Sequence, residues 1–159
     1  MASERPNSQS AVVESTSSAV TSVREGIISG LRANSYSEED IFAVHLALEE
    51  AFINSVRHGN RMDPAKGIKI DYSVGLDKVE ITVTDEGDGF DPEAVPDPRY
   101  GDNLYKPEGR GLFLMRSYMD AIEFNERGNS VYMVKYKDKT NPPEGVPDGT
   151  TKSEKQTKT

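Results

Sequence analysis

Two short alternating runs constrain this chain more than any other feature. In the first, Ile68, Ile70, Tyr72 and Val74 alternate with Lys69, Asp71 and Ser73. In the second, Val79, Ile81 and Val83 alternate with Glu80, Thr82 and Thr84. Side chains along a strand point to opposite faces in turn, so each run is a half-buried strand. Gly75-Leu76-Asp77 turns the chain between them, which makes the pair antiparallel. By the same count Asp85 falls on the apolar side of the second strand, where an unpaired carboxylate is expensive.

Helices are expected upstream. Val20, Val23, Ile27 and Leu31 recur at helical spacing and predict a helix to about Ala33, with caps available from Ser15 to Ser18. Before it, Ala11-Val12-Val13-Glu14 reads as a short edge strand. Ser37 followed by Glu38, Glu39 and Asp40 starts a second helix, with acids where the helix dipole favours them. Ile41, Val44, Leu48, Ala51, Phe52 and Ser55 give it one apolar face, and Phe42, Leu46 and Ile53 a second stripe. A helix apolar on two sides is expected to be largely buried. It should stop at His58-Gly59-Asn60, with the glycine as terminator. His58 and His45 read as ordinary helix positions rather than metal ligands.

On that second helix Glu50 and Asn54 sit four apart and share a face. Asn is a poor helix former, roughly 0.5 kcal/mol worse than Ala in a helix interior. An acid and an amide stacked in a mostly apolar run point to a site. Asn54 offers an oxygen to a hard cation, and Glu50 can accept a proton. The alternative is that both simply face water.

After the second strand comes Asp85-Glu86-Gly87-Asp88-Gly89-Phe90, and then a stretch, 91–108, that is rich in acids and prolines and has no periodicity. A loop that long inside a compact domain reads as a lid. Gly109-Arg110-Gly111 then opens a short apolar helix from Leu112 to Met119. A strand from Ala121 to Asn125, a hairpin turn at Glu126 to Asn129 and a last strand from Ser130 to Tyr136 follow. Glycines at a helix start let backbone N–H groups approach a phosphate, which the helix N-terminus favours. A buried Asp85 could accept hydrogen bonds from an exocyclic amine such as that of adenine. Gly87 and Gly89 would let backbone pass close to a flat base. Each glycine motif alone has a plainer reading as a tight turn.

The length, 159 residues, fits one domain with flanks: a disordered 1–10, a domain over 11–137, and a disordered tail over 138–159. The net charge of −8 argues against nucleic acid as a direct partner. With no cysteine, disulfides and thiolate metal sites are excluded. The polar start lacks the apolar core of a signal peptide, and no run is long enough to span a membrane, so a soluble cytoplasmic protein is expected.

The order Glu50-x-x-x-Asn54-x-x-x-His58-Gly59, then Asp85-x-Gly87-x-Gly89, then Gly109-x-Gly111 resembles the ATP-binding domain shared by gyrase, the Hsp90 chaperone, histidine kinases and MutL. Within that superfamily the phrase from Gly109 to Met115, with Met119-Asp120-Ala121-Ile122-Glu123-Phe124, is similar to the anti-sigma factor serine/threonine-protein kinases of the RsbW type. The resemblance covers roughly 11–137. It implies an α/β two-layer sandwich of the Bergerat type: a mixed, mostly antiparallel sheet with helices on one face and ATP between helices and lid. By the same resemblance Glu50 is the catalytic general base, Asn54 holds Mg2+, and Asp85 binds the adenine amine. Gly87 and Gly89 shape the base pocket, and Gly109, Arg110, Gly111 and Leu112 serve the phosphates. Family members often carry a basic residue just before the second glycine motif. Here Pro107 and Glu108 stand there, leaving Lys106 and Arg110 as candidates for the terminal phosphate. The implied function is an ATP-dependent kinase that phosphorylates an anti-sigma factor antagonist and sequesters a sigma factor, working as a homodimer. The alternative is a nucleotide-binding regulatory module without phosphotransfer.

Overall fold

The computed structural model describes residues 8–16, 18–61, 63, 65–87 and 110–137. Gly89, Gly109, the expected lid with Lys106, the flanks 1–7 and 138–159, and the side chain of Arg110 lie outside the described residues. The elements run β1 (Ser8–Glu14), α1 (Thr21–Ala33), α2 (Glu38–Asn54), a π turn (Ser55–Gly59), β2 (Gly67–Val74), β3 (Lys78–Asp85), α3 (Arg110–Tyr118), β4 (Ala121–Phe124) and β5 (Ser130–Tyr136). The five strands form one sheet in the order β1-β2-β3-β5-β4. The sheet implied to be mixed and mostly antiparallel is antiparallel in all four ladders among the described residues.

Register follows the alternation in the sequence. Ile68 pairs with Asp85, Ile70 with Val83 and Tyr72 with Ile81, and on the other side Ile81 pairs with Met133 and Val83 with Val131. This puts Ile68, Ile70, Ile81, Val83, Val131 and Met133 in one buried layer, against which Ile27 and Leu31 of α1, Leu48 and Phe52 of α2, and Met115 of α3 pack. The opposite face carries Lys69, Asp71, Thr82 and Thr84. There Tyr132 donates from its hydroxyl to Glu80 Oε2 at 2.6 Å. Among the described residues no helix is long and apolar enough to cross a membrane.

Three expectations are corrected. β1 begins at Ser8 rather than Ala11, because a complete backbone ladder with β2 carries the polar residues Ser8 to Ser10 into the sheet. Those residues therefore do not belong to a disordered N-terminus. α1 takes no side-chain cap from Ser15 to Ser18: Val20 stands at its N-cap, and Ser15 is buried with its hydroxyl unpartnered among the described residues. The second stripe of α2 is not buried. Phe42 is 56% exposed and Leu46 and Ile53 are half-buried, since sheet and α1 take the other face; Phe42 meets Tyr118 of α3 edge to face, with ring centroids 5.9 Å apart. The helical stretch stops at Gly59 as expected, as a π turn capped by Asn60; the left-handed conformation that follows belongs to Arg61, at φ 54°. The N-cap of α2 is as expected, with Ser37 Oγ accepting from the Asp40 N–H at 3.0 Å.

Candidate functional site

The site lies where the end of α2, the end of β3 and the start of α3 meet. α2 does not finish as an α-helix. Its last residues widen into the π turn, closed by the Asn60 N–H donating to Ser55 O at 2.7 Å, a spacing of five. Such turns recur at functional sites because they redirect side chains from an otherwise regular helix. Here the turn brings Ser55 to the carboxylate of Asp85, which it hydrogen-bonds. It also brings Gly59 so close that a methyl group there would overlap the Asp85 carboxylate. That is the reason for a glycine at 59: close approach, not chain reversal.

Asp85 closes the apolar side of β3 and is 8% exposed. Its Oδ1 accepts from the Gly87 N–H at 2.8 Å. Burial pushes its pKa up from the usual carboxylate value. The Gly87 and Ser55 hydrogen bonds and the positive charges of Arg127 and Lys66 oppose that rise without cancelling it. A carboxyl held against a desolvation penalty at the edge of a cleft is a candidate for a functional site. Gly87 is explained by a neighbour as well as by any base: a methyl group there would overlap the Gly59 carbonyl.

At the other end of the same cleft, Glu50 and Asn54 do share a face, and that face meets α3. A methyl group on Gly111 would stand 2.5 Å from Glu50 Oε1 and 3.7 Å from the Asn54 amide. Glu49 is turned the other way, 2.6 Å from the Arg24 guanidinium of α1, with His45 at 3.6 Å. The first N–H groups of α3 have no acceptor within the helix, and Gly111, in its first turn, lies beside Glu50 and Asn54. Leu112 contributes only backbone here, since its side chain is in the core at 6% exposure. Asn54, Ser55, Gly59 and Asp85 line one cavity with Met115 and Phe124. Glu50, Asn54, Asp85, Gly87 and Gly111 are thus brought together along the end of α2.

Comparisons with known proteins show the family of the chain. The model of the histidine kinase-like ATPase domain matches residues 13–135. A serine-protein kinase RsbW of Bacillus licheniformis is 34% identical over 126 residues, covering 73% of this chain and 74% of the relative. The RsbW of Bacillus subtilis is 32% identical over 108 residues, 64% of this chain and 68% of the relative. This chain belongs to the RsbW serine-protein kinases of the histidine kinase-like ATPase family. A solved structure of the RsbU and RsbW domains of Rv1364c from Mycobacterium tuberculosis has the same fold, with a TM-score of 0.55 over 82% of this chain at 18% identity. This kinase spans 32% of that longer chain.

Several residues that shape the kinase's cleft carried no signal in its sequence. Ser55 reads as one more position of a helix face, and Asn60 as the last residue of the helix end His58-Gly59-Asn60. Arg127 read as a hairpin residue, yet its guanidinium donates to Gly87 O at 3.2 Å. Asn129, in the same hairpin, donates from Nδ2 to Asp85 O at 3.1 Å. Each acts on a segment far away in sequence, so no local pattern records it. No group of three or more metal-ligating side chains occurs among the described residues. A cation here would rest on Asn54 and on oxygens that a ligand brings.

Proposed function

We propose that this kinase binds ATP with Mg2+ in the cleft between α2 and α3 and phosphorylates a serine on a small regulatory protein of the anti-sigma factor antagonist class. The observation that carries the proposal is the approach of Glu50 to Gly111, with Asn54 alongside, at the one end of the cleft where α3 presents its N-terminus. The residues fit the nucleotide at both ends. Asp85 is a buried acceptor for a base amine, and the absent Cβ of Gly111 lets the Glu50 carboxylate come close to a helix start suited to phosphate. Mg-ATP supplies the phosphoryl group. Asp85 fixes the base, Asn54 offers its amide oxygen to the metal, and the α3 N–H groups hold negative charge. Glu50 takes the proton of the attacking serine hydroxyl. The kinase also sequesters a sigma factor, works as a homodimer, and does so in the cytoplasm through a domain that begins with β1 at Ser8.

The test is to purify the full chain from its native cell, identify co-purifying proteins by mass spectrometry, add Mg-ATP and map phosphoserine on them. Phosphoserine on a small co-purifying protein is expected. ATP-dependent exchange of partners with no phosphoserine would instead establish the nucleotide-set binding module.

A further inference from the structure

Asn60 is completely buried, and all its polar groups are used. Its backbone N–H closes the π turn on Ser55 O. Its Nδ2 donates to Gly67 O at 3.1 Å, at the first residue of β2. Its Oδ1 accepts from the Glu86 N–H at 2.8 Å, just past the last residue of β3. One side chain therefore ties together the end of α2, the start of β2 and the end of β3. Glu86 reinforces the tie by accepting the Gly67 N–H on Oε2 at 2.6 Å.

The peptide unit between Asp85 and Glu86 is the part that matters. Its N–H is held by Asn60, and its carbonyl accepts from Asn129 Nδ2 at 3.1 Å. That peptide plane is held at both ends, and the one before it is held by the Asp85 N–H donating to Asn129 O at 2.9 Å; with both planes held, the Cα–Cβ direction of Asp85 is restricted. The carboxylate is then held in place by Gly87 and Ser55. We propose that Asn60 and Asn129 are positioning residues for base recognition: they clamp the peptide after Asp85 and aim its carboxylate, and so set the preference for a base that carries an exocyclic amine. Hydrogen bonds weaken steeply with misdirection, so freeing either end of this peptide degrades the contact without removing the acid.

The proposal rests on the reading of Asp85 as the base acceptor, and the test separates the two. The probes are ATP and inosine triphosphate, which carries an oxo group where adenine has the amine. Dissociation constants for both are measured by calorimetry on wild type, Asn60→Ala and Asn129→Ala. Wild type is expected to prefer ATP strongly. Each variant should reduce that preference about tenfold, mostly through weaker ATP binding, with inosine triphosphate nearly unaffected. A purely structural role would weaken both nucleotides alike, in proportion to the folded fraction. Asn129 is half-exposed, so Asn129→Ala decides the matter even if Asn60→Ala fails to fold. Wild-type preference that persists undiminished in the folded variants overturns the clamp alone. Absence of any preference in wild type overturns the reading of Asp85 and the clamp with it.

Discussion

At the scale of single residues the cleft is built on an acid kept where it is unfavourable. The pKa of Asp85 lies above its unfolded value, so between the two values the folded protein binds more protons than the unfolded chain. Its contribution to stability therefore falls as pH rises through a window that opens at about pH 4. Asp85→Asn removes the buried charge and keeps the shape. At neutral pH its melting temperature without ligand should equal or exceed that of wild type. Its ATP affinity, by calorimetry, should drop by about 30- to 1,000-fold, the equivalent of roughly 2–4 kcal/mol. A folded variant with unchanged affinity would end the assignment. Gly111 carries the same trade in reverse. Alanine in a helix is better than glycine by up to about 1 kcal/mol, yet its methyl would crowd Glu50 Oε1 at 2.5 Å. Gly111→Ala should melt no lower than wild type and transfer phosphate about a hundredfold more slowly; equal rates would show that Glu50 has room to spare.

At the scale of elements, the decisive one is the π turn that ends α2. A helix over this stretch was legible in the sequence, as was the Glu50–Asn54 face, because both follow from spacing along one element. The turn was not, because it exists to meet β3, and its partner Asp85 is remote in sequence. Gly59 shows the difference most sharply: a glycine after a histidine at a helix end reads as a terminator, but its role is to let the Asp85 carboxylate approach. The strands were legible to within a residue or so wherever apolar alternation marked them. β1 was cut short because Ser8 to Ser10 pair through backbone alone. Gly59→Ala tests the element. Its methyl must displace Asp85 or the turn, so nucleotide binding should be lost. Stability should fall by about 1–3 kcal/mol, as for other overpacked sites, in denaturant titration. A variant that binds ATP normally would mean that the turn and Asp85 move independently.

At the scale of the whole molecule, one sheet face is fully committed to the core and the cleft lies at its edge, so a ligand that joins α2 to α3 should tighten the domain. Free Mg-ATP at a hundred times its dissociation constant adds about 2.7 kcal/mol to folding stability. For a chain of this size that raises the melting temperature by roughly 5–10 °C, readable by scanning calorimetry. Inosine triphosphate should give a smaller rise at equal concentration; equal rises would remove the amine from the account. The central claim is that this cleft transfers a phosphoryl group rather than only holding a nucleotide, and Glu50 is where the two part. The most direct measurement compares wild type and Glu50→Ala for ATP affinity and for phosphoserine formation on the co-purifying partner. General-base catalysis contributes roughly 10²- to 10⁴-fold in rate. Glu50→Ala should bind ATP within a few-fold of wild type and lose phosphorylation by about that factor. A Glu50→Ala variant that phosphorylates at the wild-type rate would contradict it.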